Sequence, residues 1–297
     1  MIINTTTLDA LRVGFSNAFK RGLTQSAPQY TQVATIVPSS AKSNSYGWMG
    51  KVPNMREWIG PRNIQNLSEA NYSILNRTFE LTLGVDRDDI SDDNLGVYDP
   101  LFVEMGESTK AHPDLLTWPL LKAGFTSKCY DGQNFFDTVH PVLDAAGATS
   151  LVANTDGGAG VPWFLMCTNR ALKPMIFQMR QEPVFTARDK QTDDNVFNLR
   201  EYVYGVDGRY NVGFGFWQMA WGSKQPLNAA NYAIARAALA GMKGDYGRPL
   251  GLVPNLLVVP PGYESAGRQL LNSEYGTGGV TNEWKGTAEL LVVPWLA

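Results

Sequence analysis

The chain is poor in the residues that do chemistry. It has two cysteines and two histidines in 297 residues, and charged residues make up 18%. Cys129 and Cys167 are too few for a disulfide framework and lack the spacing of a metal-binding pair. They read as small buried apolar side chains in a reducing compartment. His112 and His140 each precede a proline, a step that marks a turn or helix boundary because the residue before proline avoids the α region. There is no Gly-x-Ser-x-Gly elbow. Residues 262–269 have Walker A glycine spacing, but Arg268 and Gln269 stand where Lys and Ser/Thr are required. Residues 276–281 lack the third glycine of a dinucleotide fingerprint. The acidic run 86–94 fails the calcium-loop pattern in both registers. A triad of His140, Asp137 and Cys129 can be drawn, but only geometry identifies such a triad. Asp131-Gly132 and Asp137-Thr138 read more simply as turns and caps. No catalytic, cofactor-binding or metal residue is assigned.

Charge and hydropathy exclude further classes. The net charge is −3 and the longest basic cluster is Lys20-Arg21, so sequence-specific nucleic-acid recognition is not expected. No stretch reaches the 18 or more apolar residues of a membrane span. The first residues show no basic segment followed by an apolar run, so no signal peptide is read there. A soluble chain made in the cytoplasm is expected. What the chain has in quantity is glycine (29) and aromatics (8 Trp, 12 Tyr, 13 Phe). Ordinary soluble proteins are roughly 25% charged. Low charge with many aromatics suits a subunit that buries surface against its own copies, since obligate interfaces resemble a core cut in half. A well-buried monomeric enzyme has the same composition.

Along the chain, Leu8, Leu11, Phe15 and Phe19 share one helical face, and a polar, extended stretch follows to Ser45. Residues 1–45 therefore read as an arm reaching away from the body. From Asn71 the period changes to two: Leu75, Phe79, Leu81, Leu83 and Val85 share one face, with Arg77 the exception, which predicts a long half-buried strand. A projecting hairpin with its tip near residues 54–68 is expected before it. Asp99 is expected to cap a helix with Pro100 at its first position, running over residues 100–124 and kinked or split at Pro113 and Pro119. Residues 163–168, 184–187, 196–204 and 211–220 are strand-like. Residues 157–160 and 205–208 read as turns. The clearest helix is 227–244, with Asn228 as cap, Leu227 and Tyr232 as a hydrophobic staple and Gly244 as terminator. Ile234, Ala237, Ala238, Gly241 and Met242 form its expected packed face. A buried strand (256–259), a short helix (263–272) and a last strand (288–293) complete an α+β chain.

Several motifs occur in a fixed order: W-x-G…REW-x-G-x-R, NRTFELTLGV, HPDLL, CYDGQ-x-FFDT-x-HP, LKPMIFQ-x-R, YGVDGRYNVGFGFWQ, GRPLG, LLVVPP and VVPWL. In this order they resemble the major head subunit family of Mu-like phages and prophages, a branch of the Hong Kong 97 type of capsid protein. The resemblance implies an α+β capsid fold in parts: an N-terminal arm (1–45), an extended β-hairpin loop (46–85), a spine helix and the start of a peripheral domain (86–160), peripheral strands (161–225) and an axial domain (226–297). Relative to the usual order of this fold, the axial segment reads as moved to the end of the chain. The resemblance further implies a structural protein, not an enzyme, that assembles as pentamers and hexamers into an icosahedral head in the host bacterial cytoplasm. Trp48, Met49, Arg56, Trp58, Arg62, Phe79, Phe15 and Phe19 are the candidate inter-subunit contacts, each tryptophan having burial in its own core as the alternative. Implied partners are copies of itself, scaffolding protein, portal and head protease as separate chains, and packaged DNA held without sequence specificity. No cofactor and no membrane are implied. Lys51 lies in the loop that some such shells cross-link, but no cross-linking motif accompanies it. Other readings are a cargo compartment or gene-transfer particle of the same fold, a tail or tube protein, and a hydrolase using His140.

Overall fold

The computed structural model describes residues 3–47, 72–92, 95–276 and 278–297. Along the chain, α1 (Thr5–Gln25) is followed by β1 (Ala34–Pro38) and β2 (Ser43–Ser45). Next come β3 (Ser73–Leu75), β4 (Arg77–Asp86), α2 (Arg87–Ser91) and α3 (Asp99–Lys122). Strands β5 (His140–Leu143), β6 (Thr149–Val152), β7 (Thr155–Gly158) and β8 (Trp163–Met166) lead to β9 (Met175–Arg188). Then follow α4 (Asp194–Leu199), β10 (Glu201–Phe214) and β11 (Ala220–Lys224). The last part holds α5 (Ala229–Ala240), β12 (Lys243–Gly244), β13 (Arg248–Pro249), β14 (Leu256–Val259), α6 (Glu264–Asn272) and β15 (Glu289–Val292).

Two sheets organise these elements. The first has the order β1-β9-β10-β4, antiparallel except for β1 beside β9. The period-two pattern of β4 is realised: Phe79, Leu81, Leu83 and Val85 point inward opposite Gly208, Val206, Tyr204 and Tyr202 of β10. The second sheet has the order β15-β14-β8-β11-β7. Its strands β8 and β14 are buried at every position, the continuous apolar reading of a sheet covered on both faces. Strands β8 and β11 were expected among the peripheral strands; they share this sheet with β14 and β15 instead. No helix among the described residues is long and apolar enough to cross a membrane.

The inward face of the first sheet is closed by α1 and α3. Phe15 stacks on Phe102 at 4.2 Å and meets Tyr204 edge-on at 5.2 Å, and Phe19 lies 5.4 Å from Phe185. The stretch expected to reach away as an arm is thus docked on the chain's own body. Its exit is pinned as well. The Asp114 carboxylate accepts the backbone N–H groups of Gln29 (2.9 Å) and Tyr30 (2.6 Å) and the indole N–H of Trp118 (3.0 Å). Helix α3 is one continuous helix of 24 residues despite Pro113 and Pro119. Pro113, Asp114, Thr117, Trp118 and Leu121 are all buried, so tertiary packing offsets the lost backbone bonds. Its cap is Tyr98 rather than Asp99, whose carboxylate instead pairs with Arg21 at 2.6 Å.

Three other local expectations are corrected. Residues 205–208 are the middle of β10, not a turn, because β4 and β9 both supply ladder partners there. The register shift of this ladder falls near Pro183, which has no N–H to donate. Residues 196–199 are helical in α4, which ends on left-handed Arg200 (φ 58°) before β10 begins. Helix α5 is capped by Asn228 as expected but closes at Gly241, and it buries Tyr232, Ala235 and Leu239 while Ile234 is 54% exposed. The stapling tyrosine fixes the rotation that the alanine-rich sequence leaves open.

Helices α1 and α3 cross at two glycines. A Cβ at Gly22 would lie 1.9 Å from the Val103 carbonyl oxygen, and one at Gly106 would lie 2.1 Å from that of Phe19. Gly106→Ala should therefore lower unfolding stability by about 1–3 kcal/mol through overpacking. Gly14→Ala, in open space on α1, should raise it by about 0.5–1 kcal/mol. Denaturant midpoints of the two variants should move in opposite directions.

Candidate functional site

The stretch 129–141 folds into a buried polar cluster. Cys129 to Gln133 make a tight turn: the Cys129 N–H donates to the Gln133 carbonyl at 2.8 Å, and Gly132 takes φ +82°. The turn presents the Asp131 carboxylate inward. Its Oδ2 is 2.6 Å from His140 Nδ1, and its Oδ1 accepts from the Cys129 thiol (3.1 Å) and the Gln133 N–H (3.0 Å). His140 opens β5, is fully buried, and stacks on Trp217 at 3.9 Å with an interplanar angle of 10°.

Asn154 fixes the other side of the imidazole. Its amide nitrogen donates to the carbonyls of Phe135 (2.8 Å), Trp217 (3.2 Å) and Ala220 (3.3 Å). Its Oδ1 is therefore the acceptor, and it faces the Asp137 N–H (2.9 Å) and His140 Nε2 (3.2 Å). Oxygen acceptors therefore face both ring nitrogens. Burial by itself would raise the Asp131 carboxyl; the hydrogen bonds from His140 and Cys129 and the His140 charge outweigh it and hold the carboxyl below its ordinary value. Burial, then the Asp131 charge, pushes the Cys129 thiol far up.

This arrangement brings together two of the three residues drawn as a triad, with a different acid. Asp137 is spent on the Thr138 and Asn134 N–H groups, the turn-and-cap role expected of it. The thiol is held protonated, the reverse of a cysteine nucleophile, whose pKa is lowered. Asn154 had no motif to announce it, and Asp131 read as a turn residue; only the fold brings both to His140. The other histidine, His112, contacts the Tyr210 hydroxyl through Nδ1 at 2.9 Å and packs on Phe79 at 4.5 Å, and burial lowers its pKa.

The expected contact residues fall into three groups. Trp48, Met49, Arg56, Trp58 and Arg62 lie outside the described residues. Phe15 and Phe19 are 5% and 3% exposed in the chain's own core, so their aromatic partners are intramolecular, contrary to the expectation. Phe79 is half-buried at a shallow groove that Glu80, Ser108, Pro183 and Tyr210 also line. Of the acidic run, Asp86 caps α2, Asp88 pairs with Arg200 at 2.5 Å and Asp89 accepts from the Tyr98 hydroxyl.

Breaking the buried pair with Asp131→Asn should cost about 3–5 kcal/mol of subunit stability, measurable by denaturant unfolding at neutral pH. The folded-state carboxyl titrates below its unfolded value. Its contribution is therefore complete above the unfolded pKa of about 4 and is lost as pH falls through the lower folded value. Melting temperature in the wild type should drop on acidification below about pH 4, with a smaller drop in Asp131→Asn.

Comparison with known proteins places this architecture. The family model described as the Mu-like prophage major head subunit gpT matches residues 8–296. The major capsid protein of Escherichia phage Mu is 44% identical, with all of both chains covered. The Mu-like prophage FluMu major head subunit of Haemophilus influenzae is 42% identical over 89% of this chain and 88% of its own length. Among solved structures, a chain of the bacteriophage JBD30 procapsid aligns with a TM-score of 0.86 and 44% identity, covering 99% of this chain and 100% of that one. A chain of the JBD30 capsid aligns at 0.78 with 35% identity, covering 92% of each.

Proposed function

The chain belongs to the Mu-like prophage major head subunit family, and from this premise we propose that it assembles as pentamers and hexamers into an icosahedral head enclosing double-stranded DNA. It is a major capsid protein of the Hong Kong 97 type. The observation that carries the proposal is the full-length likeness to a procapsid subunit, which spans both sheets and both long helices. In this reading α3 is the spine helix and the first sheet is the peripheral domain. The axial domain is built from two stretches, 126–172 and 217–297, which meet in the second sheet. It is then not a single terminal block: the long β9 and β10 strands leave it and return to it.

The loop between β2 and β3 reaches a neighbouring subunit, with Trp48, Met49, Arg56, Trp58 and Arg62 as its contacts and Phe79 at its base. Contacts dominated by a few aromatic and arginine anchors are the usual source of interface energy. Scaffolding protein, portal and head protease come from separate chains, and assembly takes place in the host cytoplasm. A minor capsid protein decorates the JBD30 capsid as trimers, and an equivalent partner suits this shell. With a net charge of −3, contact with packaged DNA is non-specific. The subunit is not an enzyme: Cys129, Asp131 and His140 hold one another in place.

Electron microscopy of the purified chain should show closed shells or pentamer and hexamer rings; a persistent monomer under all conditions would refute the assembly. Deleting residues 48–66 should leave a folded subunit, judged by circular dichroism, that no longer closes shells. In denaturing, reducing gels the particles should run as monomer, since no covalent cross-link joins them.

A further inference from the structure

The Cys129, Asp131 and His140 cluster carries a second reading that is independent of shell assembly. We propose that it binds one zinc-class divalent transition-metal ion. The donor atoms Sγ, a carboxylate oxygen and Nδ1 all lie within 4.8 Å of one another. Tetrahedral zinc has bonds of about 2.0–2.3 Å, which sets its donors about 3.3–3.6 Å apart. The present 3.1 Å between Sγ and Oδ1 and 2.6 Å between Nδ1 and Oδ2 need open by less than about 1 Å. One sulfur, one imidazole and one carboxylate suit a borderline ion such as Zn²⁺ and disfavour Mg²⁺ or Ca²⁺, which take oxygen shells.

The surroundings support the same assignment. Metal-bound histidines donate their second ring N–H to an acceptor that fixes ring orientation. Here Asn154 Oδ1 is that acceptor, made unambiguous by the three carbonyls its amide group serves, and Trp217 holds the ring plane. A thiolate and a carboxylate together match the charge of a divalent ion, and the thiol proton leaves to solvent on binding, so the bound form carries no uncompensated charge in the interior. The Asp131 side chain, 10% exposed beside exposed Gly132, gives the ion its way in. A fourth tetrahedral position is left to water. An ion here would staple the 129–133 turn to the start of β5.

The test uses the full chain under reducing conditions, with zinc chloride and cobalt chloride as probes and Cys129→Ser as the variant. The serine keeps a hydroxyl donor for Asp131, so folding is preserved, and removes the soft ligand. Wild type should retain one zinc ion per chain after gel filtration. Its melting temperature should rise by roughly 5 °C with zinc at about 100 times the dissociation constant. Its cobalt form should show a near-ultraviolet thiolate-to-metal absorption, and Cys129→Ser should lose all three effects. Wild type that retains no zinc overturns the proposal. So does a Cys129→Ser variant that matches wild type in metal content and melting shift.

Discussion

Where α1 crosses α3, Gly22 and Gly106 bring backbone against backbone with no side chain between them. That contact sets how close the two helices lie, and much of the first layer depends on it. Only at this separation do Phe15 and Phe102 stack on each other and meet Tyr204 edge-on, covering the inward face of the sheet built from β9, β10 and β4. The same docking carries the chain to Gln29 and Tyr30, where Asp114 of α3 seizes it before β1 joins β9. An element that looked detachable in the sequence is a wall of the core.

The second layer is held differently. Strands β8 and β14 are buried along their whole length, and beside their sheet His140, Asp131 and Asn154 hydrogen-bond one another. Buried polar groups that satisfy one another are costly to separate.

The composition argument for self-assembly reached a conclusion that fits the family, through a premise the fold revises. The aromatic richness was read as surface kept for copies of the same chain. Among the described tryptophans, Trp118, Trp163, Trp217 and Trp221 are instead in the chain's own core, alongside Tyr202, Tyr204 and Tyr232. The large apolar side chains left open are others, among them Phe197 at 84% and Leu199 at 67% on α4. Composition counts residues but does not say on which side of a subunit they end up.

What the sequence determined by itself is what depends on neighbours along the chain. The alternation of Phe79, Leu81, Leu83 and Val85 made β4 legible, the Asn228 cap placed the start of α5, and the continuous apolar run 256–259 marked β14. The ordered motifs carried the family, because a set of short segments in a fixed order is a property of the sequence alone. Tertiary structure decided whatever needed a partner far along the chain. Two glycines read as a turn became mid-strand once β4 and β9 supplied ladder bonds. Two prolines failed to break α3 because its buried face holds it. The rotation of α5 was set by Tyr232 against the core. Asn154 and Asp131 found His140 only through the folding of β5 beside the 129–133 turn. Local periodicity is written in covalent order, whereas packing faces and hydrogen-bond partners come from which segments share a core, and no short window of sequence contains that.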